Sequence, residues 1–107
     1  MSLITARFRK SPAEARRYLL DYTLDLAVGE SVTGIATSVI STTGELAPAL
    51  VVNNVVLAPA VGGIVSQATF FLSGGTAGQS YEVQFLATTS IAQTIETVVA
   101  VAVQVKL

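Results

Sequence analysis

The chain has 107 residues, with no cysteine and no histidine, a net charge of −1, 51% hydrophobic side chains and only 12% charged ones. That length suits one domain able to bury roughly 65% of its unfolded surface. The missing cysteines exclude disulfides and zinc–thiolate sites, and the near-neutral charge argues against strong attraction to nucleic acid or acidic membranes.

Along Met1–Lys10 there is no periodicity beyond a short extended segment around Leu3 to Phe8. Five of the six basic residues, Arg7, Arg9, Lys10, Arg16 and Arg17, fall in the first 17 positions and describe a basic N-terminal arm over residues 1–19. Its first twenty residues hold no apolar core of signal-peptide length, so no secretory signal is expected. Ser11-Pro12-Ala13-Glu14 matches a capping box, with serine at the N-cap and proline at the first helical position. It predicts a helical turn through Leu20, or a bend, because isolated helices this short are marginal.

From residue 20 the period becomes two, which opens a β-domain over 20–107. Leu20, Tyr22, Leu24, Leu26 and Val28 share one face of an expected strand, and Asp21, Thr23 and Asp25 share the wet one. Gly29-Glu30-Ser31 turns the chain into a second strand, Val32–Ser41. The runs around Asn53-Asn54, Leu50 to Val52 and Val55 to Leu57, read as a tight hairpin or as one bulged strand.

Two alternating runs, Ile64 to Leu72 and Ser80 to Ala87, flank Ser73-Gly74-Gly75-Thr76-Ala77-Gly78 and predict a hairpin closed by its glycines. Tyr81, just after that turn, is either a tyrosine corner of the immunoglobulin-like kind or an ordinary half-buried aromatic. A turn at Ser90–Gln93 leads to a last strand, Thr94 to Val105. Strand signals about every 8 to 12 residues predict an all-β, immunoglobulin-like antiparallel sandwich of about seven strands. No apolar run reaches the about 18 residues of a membrane helix.

Candidate chemistry is sparse. Without histidine or cysteine the commonest general base, metal ligand and thiol nucleophile are missing. Lys10 and Lys106 lack a context that would desolvate them for a Ser–Lys pair. Asp21, Asp25 and Glu30 have calcium-ligand chemistry, but carboxylates on a wet strand face are expected to be solvated or paired with arginine. The Gly74–Gly78 loop lacks the lysine and the strand-to-helix setting of a phosphate cradle. No catalytic residue, metal or cofactor is therefore expected. From Leu46 to Tyr81 no side chain is charged, which predicts a domain that buries much of its exterior against other proteins.

Phe8, Lys10, Pro12, then Asp21-Tyr22-Thr23-Leu24-Asp25, Gly29-Glu30-Ser31-Val32, and the run Leu72-Ser73-Gly74-Gly75-Thr76-Ala77-Gly78 with Tyr81 carry a family likeness. Over residues 8 to 105 the chain resembles the small tail-fibre adaptor proteins of tailed bacteriophages and prophages. It departs from them at Leu26, where members usually carry tryptophan. The resemblance implies a non-enzymatic virion protein made in the bacterial host cytoplasm. Several copies would link tail or neck to a fibre or tailspike, with other virion proteins and neither nucleic acid nor membrane as partners. Partner contacts are expected from the arm, at Phe8, Arg9, Arg16 and Arg17. The other readings are an immunoglobulin-like module for carbohydrate or a host surface, and a capsid decoration or head-completion protein.

Overall fold

The computed structural model describes residues 4–104; Leu3, Val105 and Lys106, named above, lie outside them. Seven strands carry the regular structure: β1 (Ile4–Lys10), β2 (Arg16–Asp21), β3 (Val32–Ser41), β4 (Leu50–Leu57), β5 (Gln67–Gly74), β6 (Ser80–Thr89) and β7 (Thr94–Val103). They form a four-stranded sheet, β1-β7-β6-β3, and a three-stranded sheet, β2-β5-β4. All pairings are antiparallel except that of β1 with β7, which is parallel. This is the two-sheet order of an immunoglobulin-like sandwich, with the first strand laid beside the last.

Strict alternation builds the core. Ala68, Phe70 and Leu72 of β5 face Tyr81, Val83, Phe85 and Ala87 of β6 and Val99, Val101 and Val103 of β7, all buried. Side chains at every second strand position share a face, so these runs deliver one apolar layer from each sheet.

Three expectations change, and one open choice closes. Residues 11–14 form no helix; Glu14 N–H donates to the Ser11 carbonyl at 3.2 Å, and Ser11 N–H donates to the Glu14 carboxylate at 2.8 Å. The reciprocal half of the capping box is made, but it closes a β-turn. The next residues pair with β5 from Arg16↔Leu72 to Asp21↔Gln67, because sheet pairing and burial of Tyr18 and Leu20 outweigh a weak local preference. Residues 4–21, expected to be mostly an arm, thus supply one strand to each sheet.

The strand expected over residues 20–28 stops at Asp21. Its carboxylate accepts from the Thr23 N–H at 2.9 Å and from the Thr23 hydroxyl, an Asx-turn that competes with the ladder. Tyr22 and Leu26 still reach the core, while Leu24 and Val28 are fully exposed.

The glycine-rich turn closes no hairpin either. β5 and β6 belong to different sheets, and Gly74 to Gly78 carry the chain across the sandwich edge. Gly74 has φ 69°, and a Cβ there would lie 2.7 Å from the Ala49 carbonyl oxygen. Of the two readings of residues 50–57 the bulged strand holds: they form one strand with a bulge between Asn53 and Val56, where Asn54 takes φ 51°.

Candidate functional site

Alternation decides where each basic side chain of the first strands goes. Phe8 of β1 turns inward and stacks on Tyr18 at 4.3 Å between centroids. Tyr18 stacks on Phe70 at 5.6 Å, and Phe70 meets Phe85 at 4.6 Å. This row of rings ties the two sheets together. Lys10, also inward, is buried, and its ammonium donates to the carbonyls of Ser11, at 2.7 Å, and Gly74. Burial lowers its pKa, opposed by the charge of Glu14.

Arg7 and Arg9, which alternate with these inward positions, are exposed on the outer face of the four-stranded sheet. There they lie beside Ala100 and Ala102 of β7. The two alanines are too small to fill the space above the backbone and floor a trough of about 450 Å³. Arg7 and Arg9 form one bank, and Thr42, Ser80 and Glu82 the other. A neighbouring chain can meet a cationic rim, an apolar floor and one carboxylate here.

Arg17 lies on the outer face of the three-stranded sheet, since its neighbours Tyr18 and Leu20 point into the core. Arg16, at the start of β2, makes a partly exposed ion pair with Glu14 at 3.8 Å. The four expected contact residues are therefore not one patch: Arg9 and Arg17 face opposite ways, and Phe8 is half-buried on the ring stack. Glu82, Ala100 and Ala102 line the trough without having been expected from the sequence; two alanines alternating on an otherwise valine-rich strand are the signal that marks its floor.

Tyr81 makes the tyrosine corner. Its hydroxyl accepts from the Thr76 N–H at 3.1 Å and donates to the Glu45 carboxylate at 2.7 Å. The Tyr81 bond, helped by Thr76 and the Ala49 N–H, lowers the pKa of Glu45. A second cavity, about 230 Å³, opens among Phe8, Tyr22, Phe70, Ile95 and Thr97. Tyr22 is buried there with its hydroxyl against Thr97, making no hydrogen bond of normal geometry. Burial raises its pKa, Thr97 opposes the rise and the charge of Asp25 adds to it.

Among the described residues no cluster of three or more acidic side chains could hold a metal ion, and no helix is long and apolar enough to cross a membrane. Fold and surfaces define a small immunoglobulin-like domain with a concave, cation-rimmed sheet face. A family model described as podophage GP4 fiber-tail adaptor protein gp77 matches residues 10–102, and the chain belongs to that family of phage structural adaptors. No curated protein matches it.

Proposed function

We propose that the chain is a non-enzymatic virion protein that joins the tail or neck to a fibre or tailspike through protein–protein contacts, in several copies per particle. The family match across residues 10–102 carries this reading. The shape of the molecule supports it: the trough between Arg7, Arg9 and Glu82 suits a segment of a neighbouring chain, with charge at its rim to set register. Arg9 is the expected contact residue best placed for this docking, with Arg7 beside it. Phe8 contributes by holding β1 on the ring stack.

Carbohydrate recognition has less support, because sugar sites stack on exposed rings and none of the seven aromatic side chains is exposed.

The test is immunogold electron microscopy of purified particles with an antibody to this chain. Label at the tail or neck is expected. Label on the head would favour a decoration protein instead, and particles that neither label nor contain the chain by mass spectrometry would remove the virion assignment.

A further inference from the structure

A two-sheet sandwich has four edge strands, and proteins protect such edges against pairing with charge, proline or bulges. Three of the four are protected. β1 carries Arg7, Arg9 and Lys10; β2 carries Arg16, Arg17 and Asp21; β4 is broken by the bulge at Asn53 to Val56. β3 is not protected. It pairs with β6 on one side only, runs for ten residues and contains neither a charged residue nor a proline. Its one irregularity is at Val32/Gly34, near its start.

The sequence of β3, Val32-Thr33-Gly34-Ile35-Ala36-Thr37-Ser38-Val39-Ile40-Ser41, is also complementary to itself. Set antiparallel about a two-fold axis at Thr37, it places Thr37 opposite Thr37, Ser38 opposite Ala36, Val39 opposite Ile35 and Ile40 opposite Gly34. Ile35 and Val39 are half-buried on the core side, so their cross-strand pairing would continue the apolar layer from one molecule into the next. Ile40 is 56% exposed on the outer side. Space above Gly34 is open, since a Cβ there would meet nothing within 4 Å. No charge opposes another anywhere along the pair.

We propose that β3 is a homotypic docking edge: two copies join β3 to β3 in antiparallel register centred on Thr37, making one continuous eight-stranded sheet. A two-fold contact needs only this self-complementary strand. The strand carries no charge pattern that would select a different partner. The adaptor reading supplies the place of this contact in a particle, but the contact itself belongs to the isolated chain.

Light scattering coupled to size exclusion over a concentration series tests it. The wild-type chain is expected to show twice its 11.1 kDa mass, falling toward the monomer on dilution. Thr37 is exposed but lies on the core-side face of β3, between Ile35 and Val39 and opposite Phe85. Thr37→Lys and Thr37→Glu should therefore keep the circular dichroism of wild type and lower the melting temperature alike, which leaves recovery on mixing as the readout that stability alone would not move. Each alone should weaken dimerisation at least about tenfold, because like charges meet at the axis. Mixed together they should recover the dimer as a Lys–Glu heterodimer. Val51→Lys on β4 should leave dimerisation unchanged.

A wild-type chain that stays monomeric would overturn the proposal and leave the edge to a strand from another virion protein. So would lysine and glutamate variants that dimerise as well as wild type, or a Val51→Lys variant that is equally impaired. None of these results depends on where immunogold label falls, so the two readings fail separately.

Discussion

Two tyrosines of the same core differ in what their hydroxyls meet. The Tyr81 hydroxyl has two partners, the Thr76 amide and the Glu45 carboxylate, whereas the buried Tyr22 hydroxyl has none of good geometry. Removing a satisfied buried group strands its partners, while removing an orphan relieves a desolvation cost. Tyr81→Phe is expected to cost about 1–3 kcal/mol in denaturant melts, and Tyr22→Phe to leave stability unchanged or raise it by up to about 1 kcal/mol. Glu45 adds a pH signature. Its folded pKa is lowered, so its contribution is complete above the unfolded pKa of about 4.3. That contribution is lost as pH falls through the lower folded value. Melting temperatures taken down the acid range should therefore fall less steeply for Glu45→Gln than for wild type, and Tyr81→Phe should flatten the same limb.

At the scale of elements, the sheet crossing after β5 rests on backbone that only glycine tolerates. At Gly74 a side chain meets a carbonyl oxygen of the neighbouring chain segment, and φ is positive. Gly74→Ala is expected to cost about 2 kcal/mol or more, read as a lowered urea midpoint with unchanged slope. The same substitution at Gly78, where a Cβ meets nothing within 4 Å, carries only the strain of its positive φ and should cost less. This crossing also shows where sequence reading stops. β3 is legible to its end residues, and β6 and β7 nearly so, because each alternates without a break. Alternation says which residues share a face and nothing about which strand lies alongside, so a crossing between sheets looks like a hairpin. β2 was hidden differently: the period of two runs on through Thr23 to Val28, and only the Asx-turn at Asp21 ends the strand. Local signals there favoured the wrong element on both sides, a helix before residue 20 and a strand after it.

For the whole molecule, the uneven placement of charge sets where docking can occur. Between Glu30 and Glu82 the only charged residue is Glu45, so β3 and β4 make an uncharged side and the strands at residues 4–21 a charged one. The sequence shows the basic cluster but not its division. A single turn at residues 11–14 sends β1 to one sheet and β2 to the other, which puts Arg7 and Arg9 on one outer face and Arg17 on the opposite one. If the trough face docks on a tail or fibre subunit, Arg7→Glu with Arg9→Glu should strip the chain from purified particles while shifting stability by no more than about 0.5 kcal/mol, as exposed substitutions do. Arg17→Glu changes the same charge on the other face and should leave incorporation intact. Retention of wild type should also weaken as salt rises, since rim charges are screened within about 8–10 Å at physiological ionic strength. Quantitative mass spectrometry of particles from complemented infections reads all three. Equal loss from Arg17→Glu, or no loss from the double variant, would move the docking surface off the Arg7–Arg9 trough and leave the uncharged side as the face that meets the rest of the tail.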